Sequence, residues 1–222
     1  MIRKILTWIL MVLAILYLLK QVRKPSRWTG RLILWVMNMS HSRLTDWGLK
    51  HVVIEKHSTI LDVGCGGGRT IRKLAEIATD GMVCGIDYAP GSVAASRGKN
   101  ADLIKAGRVE IQQASVSQLP YPDNKFDAIT AVETQYYWPD LVKDMQEILR
   151  VLKPGGTLIV IAESYKNGKY DKLQSPVMKL LKSTRLSKNE QRELFMAAGY
   201  QDAQVFEEPT KGWICATGRK SL

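Results

Sequence analysis

Two carboxylates bracket a glycine-rich turn in this 222-residue chain. The stretch Leu61-Asp62-Val63-Gly64-Cys65-Gly66-Gly67-Gly68-Arg69 follows a short apolar run and precedes a helical pattern, and Asp87 ends the next apolar run, Cys84-Gly85-Ile86-Asp87. Glycines at a strand-to-helix turn let backbone approach a ligand closely and leave N–H groups free at the helix start. The dinucleotide fingerprint fails, because Arg69 stands where its third glycine belongs, and the Walker Lys-Ser/Thr pair is missing. A carboxylate at Asp62 would repel a pyrophosphate, so a ligand with a cationic group fits better. Asp87 can accept both hydroxyls of a ribose. Together they ask for a nucleoside joined to a positively charged amino acid, as in S-adenosylmethionine, with Asp62 serving the ammonium and Asp87 the ribose.

The elements that position these groups follow from periodicity. Strands are expected at Thr59–Val63, Met82–Ile86, Val109–Gln112, Phe126–Ala131, Thr157–Ala162, Ala203–Phe206 and Trp213–Thr217, and helices at Thr70–Ala78, Ser92–Lys105, Leu141–Leu152 and Lys188–Ala198. Short apolar runs alternating with helices call for an α/β fold, a mostly parallel sheet with helices on both faces. Glu207 to Gly212 is too short for a crossover helix, so the last two strands form a hairpin with an antiparallel member at the sheet edge. Arg27 to Val53 reads as one or two helices.

With LDVGCGGG, CGID, LPYPDNKFDAI and EILRVLKPGGTLIVIAE in order over residues 57–162, the chain resembles the class I S-adenosylmethionine-dependent methyltransferases, in particular the type 11 or UbiE-like group. LFMAAGYQDAQVF and GWICATGRK continue the likeness more weakly, and MNMSHSRLTDWGLKH looks like a cap helix of one branch. The resemblance implies a Rossmann-like seven-stranded sheet in the order 3-2-1-4-5-7-6 with strand 7 antiparallel. It implies a domain over 57–222, a helical cap over 25–56, a variable acceptor-side segment over 163–192, and S-adenosylmethionine as cofactor. Cofactor contacts are expected at Asp62, Gly64, Cys65, Gly66, Gly68, Asp87, Tyr88, Ser115, Val116 and Glu133. Where the family carries an acid for the adenine amino group, this chain has Ala114-Ser115-Val116, and a neutral Ser115 oxygen is the weaker acceptor.

Methyl transfer needs alignment more than a general base, so no shared catalytic signature is required. Candidates for acceptor contact or catalysis are Glu133, Tyr136 and Tyr137 in Glu133-Thr134-Gln135-Tyr136-Tyr137-Trp138-Pro139-Asp140, at the carboxyl end of the fourth strand, and His41 in the cap. The alternative for these aromatics is core packing. No Asn/Asp-Pro-Pro-Tyr/Phe motif is present, so the commonest amino-methyltransferase signature for nucleic acids is missing.

Charge and hydropathy bear on the partner. The net charge is +11, and residues 1–56 carry ten Lys/Arg against Asp46 and Glu55, while 166–192 carry eight against Asp171 and Glu190. Such segments suit nucleic acid or anionic lipid. The run Ile5–Leu19 is uncharged and apolar all round, about 22 Å as a helix against a hydrocarbon core of about 30 Å. Flanking Arg3, Lys4 and Lys20 can snorkel, so a membrane anchor over 1–24 is expected, with a hydrophobic helix packed on the domain as the alternative. The denser basic residues after the run put the body on the cytoplasmic side. Cys65, Cys84 and Cys215 are scattered, which argues against a disulfide scaffold or a structural zinc site and fits a reducing compartment. The reading is transfer to a small-molecule or lipid acceptor, with nucleic acid unfavoured. RNA or protein methylation, and cofactor binding without turnover, are the alternatives.

Overall fold

The computed structural model describes residues 42–166, 171–180 and 183–222, together with eight isolated positions before residue 42. Its elements are α1 (Ser42–Leu49), β1 (Thr59–Val63), α2 (Arg69–Ile77), β2 (Met82–Asp87), α3 (Pro90–Lys99), α4 (Ala101–Lys105), β3 (Val109–Gln113) and β4 (Phe126–Val132). A 3-10 turn (Gln135–Tyr137) leads to α5 (Leu141–Val151), β5 (Leu152–Ala162), α6 (Asp171–Leu180), α7 (Lys188–Ala197), β6 (Gln201–Glu208) and β7 (Trp213–Arg219). The sheet runs β3-β2-β1-β4-β5-β7-β6, with β7 antiparallel to both neighbours, the order and the hairpin expected from the sequence.

Strands β1, β2, β4 and β5 are buried on both faces, which is why they read as continuous apolar runs rather than alternating ones. On one face, Leu44 and Leu49 of α1, Ile71 and Leu74 of α2 and Val93 of α3 close over Ile60, Val83 and Ile159. On the other, Met145, Ile148 and Val151 of α5 and Leu194 and Phe195 of α7 close over Leu61, Ile129 and Leu158. Both layers leave the carboxyl ends of the parallel strands together at one edge, where ligands bind in such sheets.

The structure differs from the sequence reading at α3, β5, α6 and α1. The expected helix Ser92–Lys105 is broken at Asn100, whose buried side chain donates to the Gly68 and Ser96 carbonyls, both at 2.9 Å. Strand β5 begins at Leu152, which pairs with Phe126 ahead of a register irregularity, whereas the sequence reading began it at Thr157. Helix α6 lies in a segment read only as variable. The α1 part of the expected cap packs on the sheet face through Leu44 and Leu49, against β5 and β7, and none of its residues lines the cavity described below. Its polar side is tied to α2, with Arg69 donating to Ser42 and Lys73 paired with Asp46. Apart from six isolated positions, the anchor helix expected over 1–24 lies outside the described residues, as does the candidate His41. Among the described residues, no helix is long and apolar enough to cross a membrane.

Candidate active site

A cavity of about 330 Å³ opens at the carboxyl edge, within the range of small-molecule sites. Its walls are Val63, Gly64, Ile86, Asp87, Tyr88, Ala114, Ser115, Val116, Thr134, Tyr137, Trp138 and Pro139, contributed from the ends of β1, β2, β3 and β4. Most of that surface is apolar, and among the described residues Asp87 supplies its only carboxylate.

Asp87 is held rigidly. Its Oδ2 accepts from Gly66 N at 3.0 Å and its Oδ1 from Ala89 N at 2.8 Å. Burial pushes its pKa up, while those two N–H groups and Ser92 pull it back. The side chain is therefore a fixed acceptor at the cavity floor.

Asp62 sits deeper, 2% exposed and outside the cavity lining. Thr130 Oγ1 donates to its Oδ1 at 2.6 Å. Burial raises its pKa to about 7, the Thr130 hydrogen bond opposes that rise, and the charge of Asp87 adds to it. The sequence reading had treated Asp62 as a permanent anion, but its charge near neutrality depends on what lies above it.

The glycine loop also works differently from expectation. Gly64 and Cys65 donate their N–H groups to the Ile86 carbonyl at 2.8 and 2.9 Å, and Gly68 donates to Cys65 O at 2.9 Å. With Gly66 N on Asp87, these four N–H groups of the loop are taken up inside the protein. The loop acts through shape. Gly64 has φ 75° and lines the cavity, and a Cβ there would stand 2.8 Å from Thr134 Cβ. Gly68, with φ 77°, caps α2 against Ser96 and Asn100. Cys65, Gly66 and Gly68 stay outside the lining, and burial raises the Cys65 thiol well above its usual range.

Of the other expected contacts, Tyr88, Ser115, Val116 and Tyr137 line the cavity. Ser115 Oγ also accepts from Ser117 N at 3.3 Å. Glu133 and Tyr136 do not line it. Glu133 has φ 57°, rare for a residue with a side chain. Its Oε1 accepts from Tyr136 Oη at 2.9 Å and from Glu163 N at 2.5 Å. Tyr136 Oη in turn accepts from Ser164 N at 2.9 Å, and burial holds that phenol protonated. This pair clamps the end of β4 to the end of β5.

Residues 61–160 match the methyltransferase domain family. Over this stretch the chain is similar to that family. It is 36% identical over 106 residues to a demethylmenaquinone methyltransferase of Symbiobacterium thermophilum, covering 47% of this chain and 42% of that protein. It is 36% identical over 119 residues to the 27-O-demethylrifamycin SV methyltransferase of Amycolatopsis mediterranei, covering 53% and 43%. The matches thus span under half the length of those relatives. A methyltransferase solved in complex with the Haloferax volcanii Trm112 methyltransferase activator has the same fold, at TM-score 0.76 and 22% identity over 87% of this chain and 95% of that one.

Sequence reasoning missed two residues that shape the site, Thr130 and Asn100, and left a third, Trp138, as one of three aromatics that could line a pocket. Thr130 is hidden in an apolar strand, where a hydroxyl beside Asp62 across β1 and β4 shows only once the strands are paired. Asn100 supports the loop from within what reads as one helix. Trp138 joins the lining although it follows two tyrosines that looked equally eligible.

Proposed function

We propose that the protein transfers a methyl group from S-adenosylmethionine to a small-molecule acceptor. The observation that carries this reading is Asp87, a carboxylate fixed by two backbone N–H groups on the floor of an otherwise apolar cavity of about 330 Å³. That arrangement fits a nucleoside, with the ribose hydroxyls on Asp87 and the base between Tyr88 and Val116. Asp62 beneath the glycine loop fits the ammonium of the amino-acid part, which would draw its carboxyl into the charged form. Tyr137 and Trp138 offer aromatic faces to a cation at the far wall.

The cofactor supplies a methyl carried on a sulfonium, already activated for displacement. The chain's contribution is to hold acceptor and methyl in line and to exclude water with the Val116, Tyr137, Trp138 and Pro139 wall. Two relatives are named for the small molecules demethylmenaquinone and 27-O-demethylrifamycin SV, which supports an acceptor of that size. The apolar run Ile5–Leu19 supports residence at a membrane with the domain on its cytoplasmic side, and Trp8, Leu10, Met11 and Tyr17 within it are exposed.

The test is transfer of labelled methyl into cell extract divided into lipid, RNA, protein and small-molecule fractions. Label is expected in the lipid or small-molecule fraction. Label confined to RNA or protein would replace this acceptor class, and cofactor binding without label in any fraction would remove the enzyme reading. Removing residues 1–24 should release the protein from uncharged bilayers while cofactor binding persists.

A further inference from the structure

Helix α6 presents an outward face that neither the fold nor the cavity uses. Lys172, Leu173, Pro176, Lys179 and Leu180 are all exposed, Leu173 at 76% and Leu180 at 56%. Spacings of one, four, seven and eight residues put them on one side of a helix. The opposite side holds the helix in place: Met178 packs against the core, and Asp171 accepts from the nearly buried Arg185 at 2.5 Å. That pair neutralises the only acid of the helix and leaves its lysines to set the charge outside. Among the described residues no ion pair involves Lys172 or Lys179; Lys169 and Lys182 add to the charge of the segment in sequence, while Lys166 is paired with Glu190. Ser183 N returns to Met178 O, and Thr184 N donates to Tyr136 O at 2.9 Å, so the helix is fastened beside the turn that carries Tyr137 of the cavity wall.

Exposed leucines flanked by lysines along one helix face suit a surface with apolar depth and negative charge. We infer that this face of α6 docks on the headgroup layer of an anionic lipid bilayer, with Leu173 and Leu180 entering the acyl boundary and Lys172 and Lys179 on the headgroups. The purpose rests on the proposed methyl transfer, because such docking would turn the cavity rim toward a membrane-dissolved acceptor; the geometry does not depend on it. Each lysine near anionic headgroups adds on the order of fivefold to partitioning.

The experiment uses the full chain with Leu173→Cys carrying an environment-sensitive fluorophore, since Cys65, Cys84 and Cys215 are all buried and escape labelling. Lys105→Cys on exposed α4 is the control position. With vesicles of phosphatidylcholine and phosphatidylglycerol, the probe at 173 should shift to the blue and be quenched by brominated lipid, while the probe at 105 stays unchanged. Lys172→Gln with Lys179→Gln should lower the partitioning of the 173 site roughly 25-fold. Raising the salt to 0.5 M should reverse the shift without any mutation of the face. An unshifted probe at 173, an equal shift on pure phosphatidylcholine, or a shift that grows with protein concentration without vesicles would overturn the proposal. The last outcome would assign the face to a second copy. S-adenosylmethionine titration on the same samples separates this failure from failure of the methyltransferase reading.

Discussion

Thr130 stands opposite Asp62 in the β1–β4 pairing and donates its hydroxyl to the Asp62 carboxylate at 2.6 Å. A carboxyl buried beneath a glycine loop would ordinarily hold its proton, and this hydrogen bond favours the anion instead. The pair sets how readily the site accepts a cationic ligand, and its consequences are measurable.

Burial raises the Asp62 pKa to about 7 in the cofactor-free protein. Binding of an ammonium requires the anion, so affinity for S-adenosylmethionine should rise about tenfold per pH unit below 7 and level off above it, until the ligand's own amino group deprotonates near pH 8. Calorimetric titrations between pH 5.5 and 8 check this. Thr130→Val should weaken binding at pH 7 by about three- to tenfold and move the inflection upward, with Thr130→Ser restoring both.

The same carboxyl makes a stability prediction. Its folded-state pKa lies above the ordinary 3.8, so the native protein retains a proton that the unfolded chain releases between about pH 4 and 7. The cofactor-free fold should therefore lose stability as pH rises through that window. Asp62→Asn should melt several degrees above wild type at pH 7.5, show no such gain at pH 4, and fail to bind the cofactor.

Gly64 and Gly68 are held at φ 75° and 77°, where a side chain costs about 1–2 kcal/mol. A Cβ at Gly64 also meets Thr134 inside the cavity, and one at Gly68 meets Asn100 Nδ2 at 2.5 Å and Ser96 Cα at 2.8 Å. Thermal melts of Gly68→Ala should show a clear loss of stability. Gly64→Ala should lose more in cofactor affinity than in melting temperature.

Tyr136 and Tyr137 are neighbours with opposite duties. Tyr136→Phe removes the bridge between Glu133 and Ser164 N and should cost about 1–3 kcal/mol in denaturant unfolding. Tyr137→Ala opens the cavity wall and should leave stability nearly unchanged while lowering methyl transfer. A reversed pattern in unfolding and activity would exchange the two roles.

The sheet order was legible because each strand shows its burial in composition: Ile60-Leu61-Asp62-Val63 and Thr157-Leu158-Ile159-Val160-Ile161 can sit only in a two-sided core. Asp87 was legible from its place at a strand end. The state of Asp62 was not, because its partner is 68 residues away and enters only through strand pairing. Nor was the fate of the loop N–H groups, which depends on the Ile86 carbonyl turning toward Gly64 and Cys65. The three aromatics at 136–138 illustrate the same limit. Their types suggested a pocket wall, but only the turn at Gln135–Tyr137 decides that Tyr136 points to Ser164 while Tyr137 and Trp138 face the cavity.

Asp87 offers the most direct test of the central claim. Titration of S-adenosylmethionine at pH 8 should give saturable one-to-one binding to the wild-type chain, and Asp87→Ala should lower affinity by at least about tenfold through loss of a charge-assisted ribose contact. A wild-type titration without heat, or a variant that binds as tightly as wild type, would contradict the assignment.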